Sequence, residues 1–322
     1  MDGPWGIYSE KEPNPRAMDL DFSQVATLEP EVARALIPFW LQGYVQGDEA
    51  QKVAFSDAAA AALATVSDAA LRQMLQEFGH AGKEYRLYPA SAPARAVSRA
   101  AMATICRGLH LDGLDHLRAA VAAGPCLLLS NHLSYVDTTI TDLILHHHGA
   151  TALADALVVV AGPKVYSSPF RRLAAISLNT LHTAQSSHLA TNEAGLTPRE
   201  VGRIALQTLG LATERMAEGQ PVLLYAEGSR TRTGRLQPFL RAVSKYLRQP
   251  GLTVVPLAIS GSDDVFPLGA DQLRAAEVRL TVAEPLRPED PQEALAEAWR
   301  RIAQALPERY QPEPGLASTP LL

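Results

Sequence analysis

Residues 125–137, PCLLLSNHLSYVD, place a short apolar run directly before a group of polar side chains. The run Pro125–Leu129 is typical of a buried strand, and the stretch Tyr135–His148 has the spacing of a helix. After Leu111, further short apolar runs alternate with helical stretches. This alternation predicts an α/β fold with a mixed, mostly parallel sheet covered by helices.

The other predicted elements follow the same alternation. The remaining strands are predicted at Ala156–Ala161, Ala175–Leu178, Pro221–Tyr225, Leu252–Ile259 and Val278–Ala283. The remaining helices are predicted at Leu114–Ala123, Pro198–Ala217, Pro238–Arg248 and Pro291–Leu306. Pro256 lies within one predicted strand, which favours an edge or a bulge for that strand.

The 322 residues divide into four parts that differ in composition and in hydrophobic pattern. These parts are a loosely held arm (1–24), an N-terminal helical region (25–110), the α/β domain (111–306) and a disordered tail (307–322). Helices of the N-terminal region are predicted at Glu31–Gln46, Ser56–Phe78 and Pro93–Arg107. Their amphipathic stripes favour packing on the main domain, with docking to a membrane or a partner as the alternative.

Composition excludes several classes of protein. With 47% apolar and 20% charged residues, the chain is neither disordered nor fibrous. Its net charge of −5 argues against a nucleic-acid partner bound through a basic face. Two cysteines, Cys106 and Cys126, are too few for a disulfide framework or a four-thiolate metal site, and they fit a reducing compartment.

The sequence shows no targeting or membrane-spanning segment. The first twenty residues lack the basic and apolar regions of a secretory signal. The most apolar stretches, Ala119–Leu129 and Ala152–Ala161, are much shorter than the ~20 residues that a span requires. We therefore expect a cytoplasmic protein that is soluble or lies on the inner face of a membrane.

Asp137 follows His132 at a spacing of five residues. Five residues turn through about 500° of helix, so the two side chains cannot share one helical face. The pair is productive if His132 lies in the loop and Asp137 in the first helical turn, where the carboxylate orients the imidazole and stabilises its protonated form. The same spacing at His110 and Asp115 precedes the predicted sheet, and we expect those two to be solvated loop residues.

A second group of interest is cationic. No acidic residue lies between Glu227 and Asp263, whereas six basic residues do: Arg230, Arg232, Arg235, Arg241, Lys245 and Arg248. A similar acid-free window, from Asp155 to Glu193, contains Lys164, Arg171 and Arg172. Because guanidinium groups and the N–H groups of glycine-rich loops suit phosphate, these loops predict an anion site. The alternative for Arg241, Lys245 and Arg248 is a solvated helix face.

Together these segments resemble the glycerolipid acyltransferase superfamily, the lysophosphatidic acid and glycerol-3-phosphate acyltransferases. The segment NHLSYVD matches the NHxxxxD block of this family. The segment YAEGSRTRTGRLQPF matches its third block, and VVPLAISGSD matches its fourth. The resemblance covers roughly Leu111 to Leu286. Ala226 replaces the usual proline of the third block. In the second block Gly162-Pro163-Lys164 is similar to the family's lysine segment, but Leu178–His182 lacks the usual arginine. Arg171 and Arg172 are the candidates to replace that arginine.

The resemblance implies an O-acyltransferase that needs neither a metal nor a cofactor. It implies a fatty acyl group moving from acyl-CoA or acyl-carrier protein to the hydroxyl of a phosphate-bearing glycerolipid precursor, foremost the lysophospholipid 1-acylglycerol-3-phosphate. His132 is expected to be the general base and Asp137 its partner. The expected substrate-binding residues are Asn131, Lys164, Glu227, Gly228, Ser229 and Arg230, with Arg230 on the phosphate and Lys164 at the oxyanion.

Several alternatives remain open. The acceptor of the acyl group could instead be glycerol-3-phosphate, or a non-phosphate alcohol or amine such as a lyso-aminolipid or a sugar. A non-catalytic lipid-binding protein, or a hydrolase in which water replaces the alcohol, would also fit. Since the substrates are lipids, we expect the protein to visit the membrane surface, through the N-terminal helices or the loop Phe170-Arg171-Arg172.

Overall fold

The computed structural model describes residues 22–184 and 195–316. Within them lies an eight-stranded sheet with the strand order β1-β5-β4-β6-β3-β7-β8-β2. The strands are β1 (Leu87–Tyr88), β2 (Cys106–Asp112), β3 (Cys126–Ser130), β4 (Val158–Ala161), β5 (Asn179–His182), β6 (Val222–Tyr225), β7 (Thr253–Ser260) and β8 (Ala276–Val282). Neighbours from β5 to β7 pair in parallel, whereas β1 and β8 run antiparallel to β5 and β7. The predicted mixed, mostly parallel sheet is confirmed.

Helices cover both faces of this sheet. They are α1 (Phe22–Val25), α2 (Pro30–Gln42), α3 (Glu49–Ala64), α4 (Asp68–His80), α5 (Ala92–Ile105), α6 (Leu114–Ala122), α7 (Asp137–His147), α8 (Thr151–Ala156), α9 (Pro169–Ile176), α10 (Pro198–Ala217), α11 (Ser262–Val265) and α12 (Pro291–Ala305). Strand β3 is buried along its whole length, with Leu128 in the core that includes the N-terminal helices and Leu127 in the opposite core. The loop after β3 is therefore held from both sides.

Buried ion pairs tie the N-terminal helices to the α/β domain. The Arg99 guanidinium on α5 donates to both carboxylate oxygens of Asp142 on α7, at 2.7 and 2.8 Å. Arg99 and Arg95 also each donate to Asp155 on α8, at 2.8 and 3.0 Å. Asp142 is only 2% exposed, so the loss of Arg99 would leave a buried carboxylate without this partner.

No single helix within 22–184 and 195–316 is both long and apolar enough to cross a membrane. Helices α3 and α4 satisfy length and composition only as a pair, and they meet at a bend of 119°. Ser67, whose hydroxyl accepts from the Ala70 N–H, caps α4 at this break. The predicted continuous helix Ser56–Phe78 is therefore wrong.

Two other predicted elements are also wrong in type. Ala175–Leu178 was predicted as a strand, but the helix α9, which Ser168 caps and Pro169 begins, continues to Ile176. The strand starts only at Asn179. Pro238–Arg248 forms a 3-10 helix over Arg241–Arg248 rather than a full helix.

The segment before the predicted sheet is itself part of the sheet. Residues 106–112 form strand β2, so His110 lies in a strand and Asp115 in the first turn of α6, not in a solvated loop. Asp115 is exposed and pairs with Arg118 at 3.1 Å. His110 and Asp115 are therefore not placed as a second histidine–aspartate pair.

Pro256 does not mark a sheet edge, because β7 lies between β3 and β8. The Ala283 N–H donates to the Pro256 carbonyl, whereas Val254 pairs with Leu286, one residue out of register with the β7–β8 ladder. The proline thus sits where the pairing shifts, as at a bulge.

The expectation of a disordered tail is wrong for residues 307–316. Tyr310 is 2% exposed, and its hydroxyl accepts from the Gly261 N–H and donates to Asp263. The Leu236 N–H donates to the Tyr310 carbonyl. The predicted arm lies outside the described residues up to residue 21, and α1 begins at Phe22.

Candidate active site

His132 lies in the loop between β3 and α7, and Asp137 is the first residue of α7. The His132 Nδ1 and the Asp137 Oδ2 are 2.8 Å apart, the geometry expected from the five-residue spacing. Asp137 is 1% exposed, whereas the His132 side chain is 18% exposed. The imidazole is therefore within reach of a substrate and its carboxylate partner is not.

The Asp137 carboxylate also accepts backbone hydrogen bonds. The Leu133 N–H donates to it at 2.8 Å and the Ser134 N–H at 3.0 and 3.1 Å. These donors fix the carboxylate in place. With Nδ1–H donating to this carboxylate, the lone pair of Nε2 is free, which is the tautomer that a general base requires.

A tyrosine that the sequence motifs did not single out supports the imidazole. The Tyr225 ring at the end of β6 stacks on the His132 ring with centroids 4.2 Å apart and an interplanar angle of 21°. The Tyr225 hydroxyl lies 2.7 Å from the Thr138 hydroxyl on α7. Burial raises the pKa of Tyr225 well above its usual range, so this phenol stays neutral. The stack and the hydroxyl bond together restrict the orientation of the imidazole.

Glu227 has different contacts from those predicted. Its carboxylate accepts the His132 N–H at 2.7 Å on Oε1 and the Gln237 N–H at 3.0 Å on Oε2. The residue is 5% exposed, and burial raises the pKa of its carboxyl to about 8 despite both bonds. Glu227 therefore holds the backbone of the His132 loop, and it does not present a free oxygen to a substrate.

Asn131 also lies away from the predicted substrate contact. It is fully buried, and its side-chain amide both donates to the Ile259 carbonyl at 3.0 Å and accepts the Ile259 N–H at 2.9 Å. This pairing mimics one more step of the β3–β7 ladder. Asn131 thus anchors the start of the loop to the sheet.

Two arginines converge on the ring of Tyr135, three residues after His132. The guanidinium of Arg230 lies 3.6 Å from the centre of the Tyr135 ring, and that of Arg171 lies 4.2 Å from the same ring. Neither forms an ion pair with a carboxylate of the described chain. Burial lowers the pKa of Arg230, and the charge of Arg171 lowers it further. Two neighbouring guanidiniums without an acid between them form a site for an anion.

Arg172 is excluded from this role. Its guanidinium donates to the carbonyls of Tyr166, Phe78 and Ala81 and is 3.8 Å from the Phe22 ring. It therefore joins α9 to the end of α4. Of the two candidates to replace the missing arginine, Arg171 is the one in position.

The remaining predicted residues, Gly228, Ser229 and Lys164, lie in the segments that follow β6 and β4. Gly228 and Ser229 are exposed in the turn after β6, where Gly228 has a φ of 74° that favours glycine. Lys164 lies in a 3-10 helix after β4, and its carbonyl accepts from the Arg171 guanidinium at 3.2 Å. Across the described chain, no hydrogen bond or ion pair joins the Lys164 side chain to His132 or Asp137.

Other reactive groups are not placed for catalysis. Burial raises the pKa of the Cys106 and Cys126 thiols to about 12, so neither is a thiolate at neutral pH. No group of three or more His, Cys, Asp or Glu side chains within 22–184 and 195–316 is placed to hold a metal ion.

Comparison with known proteins identifies the segment around this site. A family model described as "Acyltransferase" matches residues 109–260. A 1-acyl-sn-glycerol-3-phosphate acyltransferase of Chlamydomonas reinhardtii is 31% identical over 107 residues, which are 33% of this chain and 32% of that protein. The chloroplastic 1-acyl-sn-glycerol-3-phosphate acyltransferase BAT2 of Brassica napus is 22% identical over 61% of this chain and 50% of its own length. The match therefore spans half or less of each of these relatives.

Among solved structures, the chain is similar to the 1-acyl-sn-glycerophosphate acyltransferase PlsC of Thermotoga maritima. The TM-score is 0.44 and the sequence identity 15%, over 66% of this chain and 79% of that one.

Proposed function

We propose that the chain is a member of the glycerolipid acyltransferase superfamily and transfers a fatty acyl group from a thioester to the hydroxyl of a phosphate-bearing glycerolipid precursor, as the family-model match to residues 109–260 and the relatives named above support. The observation that carries this proposal is the His132–Asp137 pair, 2.8 Å apart. Two guanidiniums that have no acidic partner among the described residues lie over the ring of Tyr135, three residues after His132. The preferred acceptor is 1-acylglycerol-3-phosphate, which would yield phosphatidate. The acceptors of the relatives named above are consistent with this choice.

His132 acts as the general base in this reaction. Its Nε2 takes the proton of the acceptor hydroxyl as that oxygen attacks the thioester carbonyl carbon. A carbon–oxygen bond forms, the carbon–sulfur bond breaks, and the proton passes from Nε2 to the departing sulfur, so a free thiol and an ester leave. Such a base contributes about 10²–10⁴-fold to the rate. No enzyme ester and no cofactor are needed, because a thioester is already activated.

Arg230 and Arg171 bind the phosphate of the acceptor. Both face the Tyr135 ring, three residues after His132, so a phosphate held there brings a nearby hydroxyl towards the imidazole. A guanidinium–phosphate pair is charge-assisted and often bidentate, which also orients the acceptor. Lys164 and the backbone near Gly162 remain our proposal for the developing oxyanion.

Helix α2 is the surface that we propose for the membrane. Val32, Leu36 and Phe39 lie on one face of this helix and are 46%, 45% and 70% exposed. The alternative loop is unsuitable, since Phe170 and Arg172 are 7% and 8% exposed. Phe170 is stacked between Tyr44 and Phe266. In a flotation assay, the wild type should float with anionic vesicles and the variant Phe39→Ser should not. Equal flotation of the two proteins would exclude this surface as the membrane contact.

Thiol release from palmitoyl-CoA, with mass spectrometry of the product, tests the reaction. We expect release that requires lysophosphatidate, yields phosphatidate and is lost in His132→Ala. Arg230→Ala and Arg171→Ala should raise the KM for phosphorylated acceptors, whereas the exposed control Arg203→Ala should not. Release without an acceptor would indicate a hydrolase, and a better rate with glycerol-3-phosphate, a lyso-aminolipid or a sugar would change the acceptor. If no thiol is released with any acceptor or any acyl carrier, the protein would instead be a non-catalytic lipid-binding protein.

A further inference from the structure

Residues 307–316, which we call the C-terminal strap, follow α12 and contact the two segments that come after β6 and β7. The strap lies outside residues 109–260, the segment that the acyltransferase family model matches. Tyr310, within the strap, is only 2% exposed. Building on the proposed function, we propose that Tyr310 is a positioning residue for His132 and acts on it through both of these segments.

The backbone of Tyr310 holds the segment after β6. The Leu236 N–H donates to the Tyr310 carbonyl at 2.9 Å. The next N–H along this segment, that of Gln237, donates to Glu227 at 3.0 Å, and the other oxygen of Glu227 accepts the His132 N–H at 2.7 Å. Tyr310 is therefore connected to the backbone of His132 through one step of the chain and one carboxylate.

The Arg235 side chain adds to this attachment. Its guanidinium donates to the Gln311 carbonyl at 3.1 Å and lies 2.9 Å from the Glu313 carboxylate. The Thr231 hydroxyl donates to the Arg235 carbonyl at 2.8 Å, and the Thr231 N–H donates to the His132 carbonyl at 2.8 Å. The segment after β6 is thus bonded to the strap at one end and to His132 at the other.

The Tyr310 hydroxyl holds the segment after β7. It accepts the Gly261 N–H at 2.9 Å, donates to the Asp263 carboxylate at 2.7 Å, and also accepts from the Arg309 guanidinium. Gly261 has a φ of 83°, and a Cβ there would lie 2.0 Å from the Glu277 carbonyl oxygen. This turn is therefore packed closely against β8 and requires glycine, so the hydroxyl binds a fixed backbone N–H.

The segment after β7 in turn holds the His132 loop at two places. The Asn131 amide exchanges two hydrogen bonds with Ile259, two residues before the glycine of the turn. The Ser134 hydroxyl donates to the Phe266 carbonyl at 2.8 Å. The tyrosine hydroxyl binds between these two anchors, so it fixes the part of the segment on which their positions depend.

The ring and the hydroxyl of Tyr310 have separable roles. The ring belongs to the apolar core that contains Trp299 and Leu247, and a phenylalanine ring would fill the same place. A buried hydroxyl adds nothing to such packing and costs free energy unless it is hydrogen-bonded. Tyr310→Phe therefore removes the proposed positioning contact and keeps the core.

Steady-state thiol release and amide hydrogen exchange, both on the full chain, test this role together. In Tyr310→Phe we expect kcat to fall about 10-fold with unchanged KM for palmitoyl-CoA and lysophosphatidate, because a buried hydrogen bond that fixes the imidazole loop is lost. Amide exchange in residues 131–137 should become about 10-fold faster for the same reason. Exchange in α10 should not change.

Tyr246→Phe is the matched control and should behave as the wild type. Tyr246 packs against the same core, and its hydroxyl has no hydrogen-bond partner among the described residues. Asp263→Ala removes the acceptor of the Tyr310 hydroxyl and should show the same lower kcat and faster exchange, so it serves as the test if Tyr310→Phe does not fold.

Three results would overturn the proposal. These are unchanged kcat and exchange in Tyr310→Phe, a raised KM at wild-type kcat, and an equal increase of exchange in α10, which would make the effect global. If the wild type transfers no acyl group, the proposed function fails instead. Faster exchange confined to residues 131–137 would then still support the positioning role of Tyr310.

Discussion

The role of Glu227 gives the sharpest single test of how this site is built. The sequence predicts a substrate ligand, whereas the structure uses both carboxylate oxygens to accept the backbone N–H groups of His132 and Gln237. Glu227→Gln separates these roles with little change in volume. Above its pKa of about 8, Glu227 is a carboxylate with two acceptor oxygens, whereas glutamine offers one. At such a pH the glutamine NH₂ group must face the second backbone N–H, and one buried donor loses its partner.

The size of the effect follows from that lost bond. An unsatisfied buried donor costs about 1–3 kcal/mol. If this cost appears as displacement of the His132 loop, kcat falls by about 5- to 150-fold, since each 1.36 kcal/mol is a factor of ten. The KM for the acceptor should not change, because Glu227 has no oxygen free to bind it.

Steady-state thiol release with varied lysophosphatidate measures both constants. Glu289→Gln, the same change at an exposed carboxylate, is the control and should behave as the wild type. A raised acceptor KM at unchanged kcat would refute the structural argument and restore Glu227 as a substrate ligand.

Three further predictions concern the same loop. Asp137→Asn should lower kcat by about 10²–10⁴-fold, because the proton on Nδ1 of His132 loses its fixed acceptor; retention of more than a tenth of the rate would contradict this. Tyr225→Phe and Thr138→Val should each lower the free energy of unfolding by about 0.5–1.5 kcal/mol, because each removes the hydrogen bond between the two hydroxyls. The double variant should lose no more than either single variant, since the same bond is removed in all three. Additive losses in urea unfolding would show that the bond is absent. The free energy of unfolding should also depend on Glu227. Its folded pKa of about 8 lies above the ordinary 4.5. The folded state therefore keeps a proton that the unfolded state loses, and stability falls as pH rises from about 4.5 to 8. The loss, up to about 5 kcal/mol relative to Glu227→Gln, is measured by unfolding at both ends of this range.

Much of the scaffold could be predicted because its signals are local. Helix α10 has the predicted bounds, Pro198–Ala217, since Thr197 and Glu200 form a capping box and Pro198 occupies the first turn. The strand before His132 was evident from its unbroken apolar run. In both cases neighbouring residues contain the information that defines the element.

The contacts of the polar residues in the motifs could not be predicted in the same way. Asn131 binds Ile259, 128 positions away, and Glu227 binds His132, 95 positions away. A motif shows which polar types are present, but the direction of each side chain depends on strands that meet only in the fold. The missed strand β2 has the same cause, because its pairing with β8 joins distant parts of the chain.

The pairing of the α5 arginines with Asp142 limits which residue a homologue can carry at the position of Asp142. Asp142 lies one and a half turns beyond Asp137 on α7, and its charge is matched by Arg95 and Arg99. Those arginines come from residues before the segment 109–260 that the acyltransferase family model covers. A homologue without such a helix would bury an unmatched carboxylate at this position, at a cost of about 3–5 kcal/mol. We therefore expect homologues to carry either the arginine pair together with the aspartate, or an apolar residue in place of Asp142.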